Sequence, residues 1–530
     1  MKRHAGSFAR GLTVVAVALA IWVAPVQAGF VFDLADGIGG GNGSLPGTGG
    51  AGNIAAVSPY SATPPNAYVN GTFIPNSAAG TVQIDGAGNT YDFDSQCSAG
   101  YYNPWINGNN LDMDPSGGVL PNFSTDTNNH SLIAAHANKG ITFDLAAIRT
   151  ATGKTPNLFT TCAGDSRPKG GGSISYFVFV DGALQANRNG VIDSEDYLFV
   201  PLSSTASYLT LVIADNNNGI GADHGYFGDA FLRQATVWNG STDGNWNNGN
   251  NWVGGTAPTS GTSTEVWITG DSNVTAMSQN VASPFVLNRL EVTGTGMTNA
   301  VSISGSQLSF QADGTLNPTL HVSRNTAVTL AANLNLANQL TLTVDDLASG
   351  DDLTVSGQVT GSGNLLKYGA GNAVFNGSNG GFSGSIVVNA GTLTVGGNAN
   401  AYPLGTASAR TVTINAGGTL TALAGSHNPF GTGTGVPTVI INGGTMNTAQ
   451  YQHTTNLDMT GGTIKPTGAE ADGLDMRGAP STVTTHASAN QATISSKMTI
   501  RNTVVFDVAD GSAATDLLMS GAMVGPGGFT

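Results

Sequence analysis

The chain has 530 residues, 40% hydrophobic and only 10% charged, with 75 glycines and a formal net charge of −15. Glycine is far below the one-third that collagen needs, and low charge with ample apolar residues is the reverse of a disordered composition. Eighteen basic residues against 33 acidic ones argue against a nucleic-acid partner, because binding there rests on Lys and Arg neutralising phosphates.

Residues 1–28 read as a secretory signal. Lys2, Arg3 and Arg10 form a basic start, 12–26 is apolar, and Val26-Gln27-Ala28 offers small residues for cleavage before Gly29. Export to the extracellular space or a bacterial outer-membrane surface is therefore expected. Cleavage would remove three basic residues and leave a net charge of −18. No second apolar stretch of about 20 residues follows, so no membrane span is expected in the mature chain.

Residues 29–130 are loop-rich. Gly37 to Gly52 holds nine glycines in sixteen residues. It lacks the strand-before, helix-after setting of a phosphate-cradling loop and reads as an irregular segment. Residues 131–235 carry strand patterns at 140–145, 175–180, 197–200, 208–213 and 230–232, with an Asp181-Gly182 hairpin turn. Short strands with polar turns predict an antiparallel, jelly-roll-like β-sandwich. Cys97 and Cys162 are the only cysteines, and an even count in an exported chain permits one disulfide between them.

Residues 236–270 hold Trp238, Trp246, Trp252 and Trp267. They suit either a sugar-stacking patch or a cap over the open first rung of a solenoid. Residues 271–530 are repetitive. Gly-Thr-Leu-like motifs recur with Thr392, Thr419, Thr445 and Thr463 spaced by 27, 26 and 18 residues. A longer repeat aligns 352–357 with 516–521 and 338–344 with 502–508, both at an offset of 164. This pattern predicts a right-handed parallel β-helix. Inward Val, Ile and Leu would form apolar ladders, and outward Thr, Asn and Ser would stack where like charges would repel.

Two resemblances follow from longer motifs. His136-Ala-Asn138, 141–145, Phe179-Val-Asp-Gly182, 209–215 and 219–230 resemble the NPCBM carbohydrate-binding modules. Phe227 stands where that family usually has Trp, and a polar insert occupies 150–172. The run 361–371, Phe375-Asn-Gly, Phe382-Ser-Gly384 and Gly391-Thr-Leu-Thr-Val395 resembles the autotransporter-associated β-strand repeat. The first resemblance implies a glycan partner, and the second a surface or secreted passenger-type β-helix. Gly525 to Thr530 aligns with 361–366, which suggests the start of another repeat and hence a longer protein.

No nucleophile elbow, zinc-protease motif or Cys-x-x-Cys is present, and no clustered carboxylates mark the repeats, so the visible chain is read as non-enzymatic. Glycan-binding candidates are Asp223, His224 and Tyr226, with Tyr102 and Trp105 from the preceding loop. Asp215, Asn217 and Asp223 lie in a loop dense in oxygen ligands and are candidate calcium ligands, against a plain Asx-rich turn. Asn187 to Asp196 mimics an EF-hand loop, with Gln185 where its first Asp belongs. The leading expectation is an exported adhesin-like glycan binder. The alternatives are a structural surface or matrix protein without ligand, and the non-catalytic front part of a glycan-active enzyme.

Overall fold

The computed structural model describes residues 29–530 except 45–47, 50–51, 63–65, 76–79, 99, 102–104, 108–131, 166–171, 193–194, 270–273, 295–298, 315, 325, 347–351, 379–380, 398–401, 406–409, 424–425, 427–436 and 469–472. Residues 1–28, where a signal is expected, and Tyr102 therefore lie outside the described residues. Almost every element is a strand. No helix among the described residues is long and apolar enough to cross a membrane.

The N-terminal half is an antiparallel sandwich. One sheet runs Glu195–Pro201, Leu158–Asp165, His224–Gln234, Leu132–His136, Trp105–Asn107 and Asn53–Ile54, with Gly29–Asp33 also pairing His224–Gln234. The other runs Ala183–Val191, Ile174–Val180, Tyr208–Ala214, Lys139–Asp144 and Val69–Phe73. Strand alternation sends Tyr176, Val178, Leu209, Leu211, Ile133 and Phe227 into the core between them. The Asp181-Gly182 turn forms as the sequence implies, with both residues at positive φ. Residues 187–191 of the EF-hand-like stretch instead end the second hairpin strand, 195–196 begin the next strand, and Arg188 ties to Asp196 at 2.9 Å.

The Gly-rich N-terminal loop is ordered by a carboxylate. Asp36 is fully buried and accepts the backbone N–H groups of Gly43 (2.6 Å), Thr48 (2.7 Å) and Gly49 (2.5 Å). A Cβ on Gly41 would sit 2.2 Å from that carboxylate, so the glycine permits the close wrap.

The two cysteines form no disulfide with each other, and both are buried. The sheets explain why. Cys97 packs with Phe93, Phe177 and Phe179 on the outer face of the five-stranded sheet. Cys162 packs with Ala134 and Tyr226 on the outer face of the other. The sandwich core lies between the two thiols.

At Ala235 the chain passes from the sandwich strand His224–Gln234 into Thr236–Trp238, the first strand of a twelve-stranded parallel sheet. An eleven-stranded sheet and two four-stranded sheets complete the parallel β-solenoid. Its four tryptophans are all buried. Trp238, Trp246 and Trp252 meet edge to face at 4.9 and 5.6 Å inside the first rung, closing the solenoid core as a cap. Trp267 faces the sandwich, 5.5 Å from Phe199. Arg233 lies against Trp267 and Phe231 and bonds Glu265 at 2.7 Å with both side chains almost fully buried, which locks the two halves together.

The repeats set the rungs. Thr392, Thr419, Thr445, Thr463 and Thr493 pair in series along the eleven-stranded sheet. Leu393, Leu420, Met446, Ile464 and Ile494 form the matching inward ladder. Asn389, Asn415 and Asn442 hydrogen-bond along their stack at 2.7 and 3.1 Å. The 164-residue offset spans seven rungs: Leu340–Val344 and Val504–Val508 are seven strands apart in the twelve-stranded sheet, and the stack puts Leu340 in line with Phe506, a two-residue slip that keeps inward and outward positions in phase. Gly361 and Gly525 share positive φ, and a Cβ on either would sit 2.3 or 2.2 Å from the carbonyl of the rung below. The Lys of the repeat motif also gains a reason. Lys367 is fully buried and donates to the carbonyls of Tyr368 (2.7 Å), Gly369 (2.8 Å) and Ala390 (3.3 Å), satisfying a corner of the coil.

One expectation fails. The outward face near the junction does stack charge, but with alternating sign. Glu265 pairs in register with Arg289, and Glu291 with His321. Arg289 bonds Glu291 at 2.8 Å, His321 bonds Glu291 through Nδ1, and its Nε2 reaches Asp345 at 3.2 Å. Opposite charges on adjacent rungs attract where like charges would repel.

Candidate functional site

The site lies at one end of the sandwich, where Leu132–His136 and His224–Gln234 lie side by side. Register pairs His136 directly with His224. Their rings are 4.4 Å apart at 54°, both partly exposed. His136 is followed by Ala137, Asn138 and Lys139, which turn into the strand of the opposite sheet. The loop 215–223 crosses above this turn.

Buried polar groups hold that loop. Asn138 is fully buried; its amide donates to the carbonyls of Gly100 (2.9 Å) and Ser98 (3.2 Å), and its oxygen accepts the Asp215 N–H at 2.7 Å. Asp215 accepts N–H groups from Ser98 (2.8 Å) and Asn217 (3.1 Å) and also the Ser98 hydroxyl. Its carboxylate thus faces donors. Asn217 adopts positive φ and donates its backbone N–H to the Gln96 carbonyl. Of the candidate calcium ligands, Asp215 and Asn217 share an Asx-type turn, and Asp223 bonds Ser173 instead. Among the described residues, no group of three or more His, Cys, Asp or Glu side chains converges as a metal site.

Asp223 is different. It is fully buried; one carboxyl oxygen accepts the Ser173 N–H at 2.8 Å, and the other has no hydrogen-bond partner among the described residues. Burial, reinforced by Asp215 and Asp165, pushes its carboxyl up to about 7. Burial also lowers the Lys139 amine to about 7, and its Nζ donates to the His136 carbonyl. His136 falls to about 4 through burial, with His224 and Lys139 adding repulsion. The site therefore presents a neutral imidazole, and two further groups change charge near pH 7.

The other aromatic candidates are displaced from it. Trp105 is fully buried in the sandwich core beside Ile133 and Ile54, so it offers no face to a sugar. Tyr226 is 3% exposed, packed with Ala134 and Cys162 on the sheet surface. Of the sequence candidates, the structure brings Asp223 and His224 together. It adds His136, Lys139 and Asn138. Of these, His136 and Asn138 are visible in the sequence only as part of the His-Ala-Asn motif, and Lys139 carries no local signal.

No family model matches this chain, and no curated protein matches it. Solved structures do. Among them are CBM51 modules. CBM51 from Clostridium perfringens GH95, solved with methyl-galactose, is 25% identical over 22% of this chain and 77% of that chain, with a TM-score of 0.18. CBM51-2 with the INT domains of Clostridium perfringens ZmpB, solved with GlcNAc, is 19% identical over 29% of this chain and 36% of that one, with a TM-score of 0.18. The Agl-KA catalytic domain is 11% identical over 75% of this chain and 91% of its own, with a TM-score of 0.23.

Proposed function

We propose that the protein binds glycans at the His136–His224 edge of its sandwich, and that it is an exported, adhesin-like protein carrying this module on the solenoid as a stalk. The observation that supports the site is the pair of partly exposed imidazoles beside Asp223. Sugar hydroxyls both donate and accept hydrogen bonds. A neutral imidazole does the same. Asp223 is fully buried and offers no surface to a sugar. The fixed Asn138–Asp215 turn organises these groups before any ligand arrives, which limits the ordering cost of binding. The buried Arg233–Glu265 bridge ties the stalk to the module. The NPCBM-like and autotransporter-like motifs support the same division of labour.

The test is a glycan array on residues 29–530, repeated with His136→Ala and His224→Ala. The intact chain should retain a defined glycan set, and each variant should lose about tenfold or more in affinity, the cost of about one good hydrogen bond to a buried polar partner. No retained glycan, or variants that bind like the parent, would refute the site. Export is checked by N-terminal sequencing of secreted protein, which should begin at Gly29; a chain that stays inside the cell with Met1 intact would count against it.

A further inference from the structure

The acidic chain spends most of its described cations singly or in balanced pairs. One group does not balance. It lies on the four-stranded sheet formed by Gln452–Thr454, Gly473–Met476, Lys497–Ile500 and Met523–Val524. Leu474, Met476, Met498 and Ile500 point into the solenoid core. The alternate positions face outward, and register stacks His453, Asp475 and Thr499 on successive rungs. Met476 pairs with Ile500, so Arg477 and Arg501, one residue further on, occupy equivalent places on adjacent rungs. Such rungs are about 4.8 Å apart, a separation at which two cations repel.

Asp475 holds them there. Its side chain has no exposed surface, because the guanidiniums cover it. Arg501 bonds one carboxylate oxygen through Nε at 2.9 Å and the other through Nη2 at 3.1 Å. Arg477 bonds Oδ2 through Nε at 2.9 Å and Nη2 at 2.7 Å, and His453 Nε2 lies 3.3 Å away. These partners outweigh burial and keep the carboxyl far below its usual range. One carboxylate thus faces two guanidiniums, with Lys497 at the start of the strand Lys497–Ile500 that Arg501 directly follows. The described face carries a surplus of two positive charges. The Arg477 and Arg501 side chains are 33% and 40% exposed, and the Nη1 group of each makes no hydrogen bond among the described residues. Tyr451, 44% exposed, flanks them.

A fixed pair of outward guanidinium edges matches the two oxygens of a carboxylate. Lys497 lies roughly 13 Å from Arg501 by the rise of a strand, a distance that a polymer with repeated charges spans. We propose that Arg477 and Arg501 bind a carboxylate of an acidic polysaccharide, that Lys497 binds a second one along the same chain, and that Tyr451 packs against a sugar ring. This site is separate from the sandwich edge and does not depend on it.

The experiment measures binding of oligogalacturonate, dextran sulfate and neutral dextran to residues 29–530 by calorimetry at low salt. Oligogalacturonate should bind, and neutral dextran should not. Arg477→Lys with Arg501→Lys keeps the charge around Asp475 but loses the fork, and should weaken binding about tenfold. Lys497→Gln, which leaves Asp475 fully covered, should weaken it about threefold and lower the salt dependence. His224→Ala should leave oligogalacturonate binding unchanged, so failure of the sandwich site and failure of this one are told apart. Absence of oligogalacturonate binding, binding of dextran sulfate alone, or unaltered affinity in both solenoid variants would each overturn the proposal.

Discussion

Glu291 is the most demanding test of the charge ladder at the base of the solenoid. Its side chain is 1% exposed and bonds both Arg289 and His321. Glu291→Gln keeps the shape and removes the charge. Removing one partner of a buried pair costs about 3–5 kcal/mol, because the remaining charges stay buried without compensation. The pH dependence gives a second, independent magnitude. Despite burial, Glu291 and Asp345 raise His321 to about 10. Relative to the ordinary 6.5, at about 1.4 kcal/mol per pH unit, that is on the order of 5 kcal/mol. This stabilisation is complete below about pH 6.5 and is lost as pH rises through about 10. Glu291 and Asp345 are both lowered, so their share is present above the usual carboxylate range of about 4 and is lost on acidification. The ladder therefore contributes most between about pH 4.5 and 6.5. Hydrogen exchange at Leu290, Val292, Leu320 and Val322 reads it locally, which suits a solenoid whose rungs stabilise their neighbours. Protection should fall between pH 7 and 10 in the parent and should be lower and nearly flat in Glu291→Gln. Equal protection in both chains, or the same alkaline slope, would refute the reasoning.

Two further outcomes follow from packing. Trp246→Ala opens a cavity inside the cap and should cost about 3–5 kcal/mol locally, read as faster exchange over Phe285–Leu287, where Trp246 meets Phe285 at 5.5 Å; unchanged exchange there would contradict the cap. Thiol titration without reductant should find two reactive thiols per chain in denaturant and none in the folded protein, since both cysteines are buried and form no disulfide with each other; no thiols in denaturant would restore the disulfide.

The sequence made some elements legible because their signals are local. The strands Ile174–Val180 and Tyr208–Ala214 and their hairpin follow from apolar runs and Asp-Gly chemistry. The solenoid register follows from repeats, down to Phe529 pairing with Val504 as Leu365 pairs with Leu340. Leu158–Asp165 was hidden in a stretch that reads as a polar insert. Its polar members are satisfied at long range: Thr160 by Arg233 and Thr161 by the Gly228 carbonyl. Asp36 gave no signal either, because its role is to accept N–H groups from residues still unplaced in a linear reading. At the candidate site, Asp223 and His224 are adjacent in sequence and were legible. Their partner His136 required strand register. Trp105 and Tyr226 misled because an aromatic side chain does not encode which face of its sheet will be covered. The ladder from Glu265 to Asp345 was invisible for the same reason: its members are separated by a full rung.

The 164-residue repeat makes the solenoid a ruler. Its two copies sit seven rungs apart in the same sheet. At about 4.8 Å per rung, that is roughly 34 Å of solenoid. A block of this size can be duplicated or excised between equivalent residues while inward residues stay inward and each corner glycine meets its carbonyl. Length can then change by recombination in steps of whole rungs, with no new packing to be selected, and the distance from the sandwich to the far end becomes a quantity that evolution or an engineer sets by counting.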